Sequence, residues 1–273
     1  MATAATTITA PRRLLAPRRE TGSGWIAIAA PLAVGVLALA AWQLLVSAGV
    51  VSDYLLPGPA AIAAEAAAFA PTIVEGAGVT GANALLGLIA GSLAGIALAA
   101  LAAAAKPADG MISPIVAALA VIPIVALAPV LNTMFGADSQ VGRQAIAGIA
   151  AFTPVFLNTL RGLRQARPVH RDLMRVLAAT PWQAFQTVTM PTATPHVLTG
   201  IRIASSLTVI SALVAEYFGG PRGGLGGLIS TYAAQSAYAR SWAFVAGAVA
   251  LGILFYVVAS ILERLASRHG RSG

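Results

Sequence analysis

Six apolar runs of 20 residues or longer follow one another along the chain, at about 25–47, 79–105, 111–135, 144–163, 192–217 and 242–262. About 20 apolar residues are what a helix needs to cross the ≈30 Å hydrocarbon core of a bilayer. The pattern predicts an all-α membrane protein with six transmembrane helices. Composition agrees: 10% of the 273 residues are charged and 58% are hydrophobic, against about 25% charged in soluble domains. Spans and short loops use up the length, which leaves no room for a separate soluble catalytic domain. The expected organisation is a basic tail over 1–24, a transmembrane domain over 25–262 and a second tail over 263–273. A basic stretch before an apolar run also suits a signal peptide. Here the run is too long for a signal core and lacks a small-residue cleavage site, so it counts as the first span.

Charge sets the orientation. The net charge of +8 and sequence pI near 11.0 raise nucleic acid as a partner, but the placement of the basic residues fits a membrane better. Six spans put both termini and the even-numbered loops on one side. That side carries Arg12, Arg13, Arg18, Arg19, Lys106, Arg161, Arg164, Arg167, Arg171, Arg175, Arg264, Arg268 and Arg271. The other side has Arg143, Arg222 and Arg240, and Arg202 lies inside the fifth span. Thirteen against three, of 17 in all, places both termini in the cytoplasm by the positive-inside rule.

Within the spans, Gly87, Gly91 and Gly95 recur every four residues, a spacing that lets a second helix approach closely. Glycine and alanine are also simply abundant there. Residues 60–69, AAIAAEAAAF, read as a short interfacial helix after Pro57 and Pro59. The third run contains Pro114, Pro123 and Pro129. Prolines free backbone carbonyls that neighbours must satisfy, which puts this helix inside the bundle.

The longest polar interlude of the second half is PVHRDLMRVLAATPWQAFQTVTMP, residues 168–191. Leu173, Val176 and Leu177 recur at helical spacing among polar residues, predicting an amphipathic helix over 170–179. Thr180-Pro181 is a helix-start signal, Trp182 and Phe185 add an aromatic edge, and Met190-Pro191 is expected to end the unit. Arg161, Arg164, Arg171 and Arg175 suit an anchor belt at the headgroups. A short helix held at both ends by spans can pass a push from a cytoplasmic partner into them.

No catalytic, nucleotide or metal site is visible. Lys106, the single lysine, precedes Pro107 and follows alanines, so there is no phosphate loop. His170, His196 and His269 are scattered, and cysteine is absent. Neither a metal nor another cofactor is expected. Candidate pathway or gate residues are Asn132, Thr153, Asn158, Ser206, Ser211 and Glu216, beside Thr133, Ser205 and Thr208. Hydroxyls in membrane helices also bond their own backbone. Glu216 stands apart because an acid in a span needs a partner; Arg222 and Arg143 are the candidates. Arg202 either snorkels or bridges to the 168–191 loop. Gly219–Gly227 reads as a tight turn and re-entrant cap.

The loop carries a resemblance. Asp172-Leu173-Met174, Ala178, Val188 and Met190-Pro191 keep the spacing of the Glu-Ala-Ala, Gly, Ile and Leu-Pro motif of binding-protein-dependent ABC importer permeases. Glu has become Asp172, the alanines Leu173 and Met174, and the glycine Ala178. WQLLVSAGVVSDYLLPGPAAI, IPIVALAPVLNTMFG, FTPVFLNTLRGLR, TGIRIASSL and VAEYFGGPRGGLGGLI also resemble that family, in its sulfonate, nitrate, taurine and pyrimidine-precursor branch. The resemblance covers about residues 25–262. It implies a type I importer permease fold whose coupling helix docks on a cytoplasmic ABC ATPase through Asp172, Leu173, Met174, Val176, Leu177, Ala178, Trp182 and Pro191. It also implies an extracytoplasmic substrate-binding protein and, in the cytoplasmic membrane, two permease copies (a homodimer expected) or a pseudo-dimer; the placement of the basic residues already argues for no nucleic acid. A stand-alone secondary transporter or channel is the competing reading.

Overall fold

The computed structural model describes residues 24–54, 56–136, 139–219 and 223–269, leaving out the side chains of 24–28, 106, 171 and 267–269. The basic tail before residue 24, Arg222 and Arg271 therefore lie outside the described residues, as do the side chains of Lys106, Arg171, Arg268 and His269. Every regular element described is helical: α1 Gly24–Ser47, α2 Pro59–Ala68, α3 Ala70–Ala104, α4 Lys106–Leu119, α5 Ile124–Phe135, α6 Val141–Arg164, α7 Pro168–Val176, α8 Pro181–Ala184, α9 Met190–Tyr217, α10 Leu225–Ala234 and α11 Tyr238–His269. Five are long and apolar enough to cross a membrane, or six if the bent pair α4–α5 counts as one span.

The core is a trio in which α6 packs against both α3 and α9. One stripe of α3 (Gly76, Thr80, Asn83, Gly87, Gly91, Gly95, Ala99 and Ala102) is buried along its length. Its glycines are there for clearance: a Cβ on Gly91 would lie 2.2 Å from the carbonyl oxygen of Gly148, and one on Gly87 2.4 Å from Ala147 Cβ. Close approach is therefore what the four-residue spacing provides. On the other side of α6, a Cβ on Gly162 would meet His196 Cβ at 2.8 Å, so α9 approaches almost as tightly. Large side chains point outward instead, with Leu37, Leu93, Ile115 and Val249 all more than half exposed. Lipid is the solvent that suits such a surface.

Several boundaries differ from the sequence expectation; α7 covers Pro168–Val176 rather than 170–179, and α11 starts at Tyr238 rather than 242. The second span begins at Ala70, not near 79, because Pro71 supplies a helix start and the helix runs 35 residues. At 1.5 Å per residue it is about 50 Å long, well beyond the hydrocarbon core, so Glu75 lies on this helix and not in a loop. The third span is broken. Its halves α4 and α5 meet at 96°, and Pro123 caps the second half with φ −70° and ψ 110°. Proline cannot donate the bond that would continue α4, and it pushes Ile122 out of the helical region. Pro114 and Pro129 are carried within helices, and in α5 the buried side chains are Ala128 and Asn132, so much of this segment lies at the margin of the single chain. Finally, α11 continues unbroken past 262 to His269.

Arg202 neither snorkels free nor reaches the 168–191 loop. Its Nε lies 2.7 Å from Glu263 Oε2 on α11, and Thr199 Oγ1 donates to Glu263 Oε1 at 2.6 Å. The expected interfacial helix α2 is tied to α11 by Arg240, which lies 2.8 Å from Glu65 Oε2 and 3.9 Å above the Phe69 ring.

Candidate functional site

Two places gather the residues singled out from the sequence, one at each end of the bundle. At the first, α7 and α8 hang between α6 and α9. Pro168 starts α7 and Arg167 precedes it in extended conformation, which breaks the helix that the arginine spacing would otherwise continue. Val169, Leu173, Val176 and Leu177 are 68%, 51%, 83% and 62% exposed. That is an apolar face covered by nothing among the described residues. Asp172 Oδ1 lies 2.9 Å from Arg175 Nη1 one turn on, with both side chains mostly exposed, so the pair adds little stability. Nearby, Arg164 on α6 pairs with Asp109 on α4 at 2.7 Å, joining the two helix ends that the charge count had assigned to one side.

Helix α7 ends in a Schellman motif. Ala178 N–H donates to Arg175 O and Ala179 N–H to Met174 O, each at 3.0 Å, and Ala178 sits at φ +47°. That left-handed conformation is the reason the resembling motif has glycine here. Alanine pays about 1 kcal/mol for it. Ala178→Gly is expected to slow trypsin cleavage at Arg175 about fivefold, the factor that 1 kcal/mol gives to the closed form, and Ala178→Val to speed it.

Thr180 and Gln183 close a capping box: Thr180 Oγ1 accepts from Gln183 N–H, and Gln183 Oε1 accepts from Thr180 N–H at 2.8 Å. Trp182 stacks on Phe185 at 5.5 Å. Met190-Pro191 does not end this unit. A π-helical turn over Phe185–Thr189 leads straight into α9, with Met190 N–H donating to Phe185 O. Pro191 has no N–H to give Thr187, and the wider turn before it absorbs the mismatch. The second half of the hairpin is thus continuous with a core helix.

At the opposite end lies a buried polar cluster. Glu216, 1% exposed, accepts from Thr80 Oγ1 at 2.8 Å, Asn83 Nδ2 at 3.3 Å and the backbone N–H of Gly226 at 3.1 Å. Leu225 N–H donates to Thr80 Oγ1 at 2.9 Å. The carboxylate thus caps the amino terminus of α10, where the helix dipole favours negative charge. Glycine at 224 and 226 makes room, since a Cβ would lie 2.2 Å from the Glu216 carboxyl carbon and 2.3 Å from Leu213 O. The described part of the Gly-rich stretch is accordingly the start of a helix and more than a turn.

Arg143, expected in a loop, is fully buried in the first turn of α6. It donates through Nη1 to Gln140 Oε1 at 2.5 Å. Among the described residues no ion pair joins it to Glu216. Thr80, Asn83, Gln140 and Gln144 were not foreseen. The signal was present in α3, because Thr80 and Asn83 extend the glycine stripe at helical spacing.

Asn132 joins this end. Its Nδ2 donates to Ala215 O at 2.9 Å and to Gly219 O, satisfying carbonyls at the end of α9 that have no helical partner. Asn132→Leu keeps the shape and loses both bonds. It is expected to cost about 2 kcal/mol, read as a lower melting temperature of the purified protein.

The other pathway candidates are not brought together. Asn158 Nδ2 donates to Pro154 O at 2.8 Å, and Ser205 and Thr208 donate to Arg202 O and Ser205 O of their own helix. Ser211 is buried, Thr153 is half-buried, and Ser206 lines an apolar groove of about 650 Å³ between α9 and α11. Among the described residues no three His, Asp or Glu side chains gather where a metal could be held.

Comparison with known proteins accounts for this architecture. The chain belongs to the binding-protein-dependent transport system inner membrane component family, whose model matches residues 87–271. A probable ABC transporter permease protein of Haemophilus influenzae is 30% identical over 192 residues, covering 70% of this chain and 78% of the relative. A Bacillus subtilis permease named for aliphatic sulfonates transport, SsuC, is 30% identical over 190 residues, covering 68% and 67%. The crystal structure of an amino acid ABC transporter with histidines superposes with a TM-score of 0.60 at 18% identity, over 72% of this chain and 95% of that one, which shows the fold. The chain is therefore the membrane permease subunit of an ABC importer, non-catalytic, with ATP hydrolysis on a separate protein. A stand-alone secondary transporter is set aside.

Proposed function

We propose that α7 and the start of α8 are the handle through which a cytoplasmic ATPase drives this permease. The supporting observation is the exposed apolar face of Val169, Leu173, Val176 and Leu177 on α7, joined by the turn at Ala178 to α8, which runs through the π turn into core helix α9. Asp172, Met174, Ala178 and Trp182 flank that face, and Pro191 marks where the hairpin joins the core. In this reading the α7 end and both termini are cytoplasmic. The α10 end faces outward, where a substrate-binding protein delivers the solute, and two copies of the chain frame the pathway. Asn132, Thr153, Asn158, Ser206, Ser211 and Glu216 belong to the pathway or its gates. The solute is a small anion of the aliphatic sulfonate class, as the name of the Bacillus subtilis relative suggests.

The test is to purify the chain with its ATPase and binding protein and identify the ligand the binding protein retains by mass spectrometry. A sulfonate supports the substrate assignment; a neutral or cationic ligand contradicts it. Failure of any ATPase to co-purify would contradict the handle.

A further inference from the structure

Glu216 and Arg143 are buried at 1% and 0% exposure at the same end of the bundle, yet each is occupied elsewhere. Arg143 gives Nη1 to Gln140 Oε1 and, among the described residues, leaves Nε and Nη2 buried without a hydrogen-bond partner. A desolvated guanidinium with unmade bonds is a standing cost. The carboxylate that would relieve it is two side chains away: Asn83 Nδ2 donates both to Gln140 Oε1 at 2.9 Å and to Glu216 Oε1 at 3.3 Å. Glu216 meanwhile holds the amino terminus of α10 by one backbone bond and, through Thr80, a second. The far half of α10 is anchored differently, with Tyr232 stacked on Phe244 of α11 at 5.3 Å. Leu225 in the first turn lies in the same apolar cluster as Phe244, so the amino terminus of α10 is held by a polar clamp together with apolar packing, and the far half by aromatic packing.

We infer that Glu216 and Arg143 form a two-position latch for α10. In the arrangement described, the carboxylate caps α10 and Arg143 goes short. In the other, Glu216 pairs with Arg143 and the amino terminus of α10 is released from α3 and α9. Both are positioning residues, and neither need touch the solute. The second position rests on the permease assignment, because it belongs to the transport cycle; the clamp itself does not.

The chain contains no cysteine, so single thiols report without background. Leu225, 0% exposed in the first turn of α10, is the reporter site, and Ala102, 2% exposed near the opposite end of α3, is the control. In the chain alone, Glu216→Gln is expected to speed maleimide labelling of Leu225→Cys about tenfold, the weight of a charge-assisted bond, and to leave Ala102→Cys protected. Continued protection of Leu225→Cys, or equal exposure of both thiols, overturns the clamp. In the full transporter, trapping with ATP and vanadate is expected to speed Leu225→Cys labelling about tenfold. Arg143→Gln abolishes that response without changing the resting rate, and Arg143→Lys restores part of it. A nucleotide response that survives Arg143→Gln overturns the latch.

If Arg143→Gln does not assemble, the latch is tested with both charges in place. A Cβ on Gly76 would lie 3.0 Å from Leu228 Cδ1, so Gly76→Cys with Leu228→Cys can tie α10 down. Oxidation is expected to cut uptake at least tenfold, and dithiothreitol to restore it. Undiminished uptake by the cross-linked protein overturns the proposal. If the unmodified protein fails in ATP-driven uptake, the permease assignment fails, while the comparison in the isolated chain still decides the clamp.

Discussion

Gly91→Leu is expected to prevent the bundle from assembling. Even a methyl group at Gly91 would sit 2.2 Å from Gly148 O, 2.8 Å from Ala151 Cβ and 3.0 Å from Gly148 C. Two of those atoms are backbone of the central helix and have no rotamer to retreat into. Overpacking a core ordinarily costs about 1–3 kcal/mol. Here the whole of α6 must move away from α3, which also parts Asn83 from Gln140 and Gln144. Gly91→Ala should then lose about 3 kcal/mol, and Gly91→Leu should not give a monodisperse peak in size-exclusion chromatography of the detergent-solubilised protein. Gly252 on α11 is the matched control. Nothing lies within 4 Å of its Cβ position, and Gly252→Ala should change stability by no more than about 1 kcal/mol. Equal behaviour of Gly91→Leu and Gly252→Ala would show that the glycine stripe is only composition.

Leu173→Glu is expected to leave the bundle intact and disconnect it from its motor. The side chain is half exposed and lies on a nine-residue helix with no buried residue of the core clusters, so folding has little stake in it. A carboxylate placed in the middle of an apolar docking face carries a desolvation cost of the size seen at interface hot spots, about 3 kcal/mol. That corresponds to about a hundredfold in Kd for the ATPase. Titration of labelled ATPase onto the reconstituted chain measures it, with an unchanged melting temperature as the folding control. Ala178→Pro reaches the same end by another route, since proline is fixed near φ −65° and cannot occupy the φ of +47° that turns the chain at Ala178. Normal uptake by either variant would mean the hairpin transmits nothing.

Much of this was legible in the sequence because the bilayer simplifies the problem. Apolar length and small-residue spacing are strong, local signals: they placed α6 and α9 within a few residues and marked the face of α3 that a second helix approaches, without saying which helix. The start of α3 was misplaced because Glu75 reads as a loop residue, when in fact the helix outruns the membrane. The break at Pro123 and the passage through Pro191 show the limit of proline as punctuation. One proline ends a helix and the other is absorbed by a π turn, and only the surrounding packing distinguishes them. Glu216 was recognisable as an anomaly, but its partners were not, because they come from α3 and α10, brought together by tertiary structure alone. Arg143 was counted as a loop charge for the same reason: nothing local marks a guanidinium as fully buried. The polar residues at the hairpin end stood out more plainly, since amphipathic spacing needs no knowledge of the rest of the fold.

This chain is expected to move solute only when a separate ATPase works the α7–α8 hairpin. Proteoliposomes that contain the chain, its ATPase and its binding protein test it most directly, with radiolabelled solute followed in the presence and absence of ATP. Uptake should require all three proteins and ATP, and should fall to background with Leu173→Glu. Full-rate movement of solute by this chain alone, without ATP, would contradict the account.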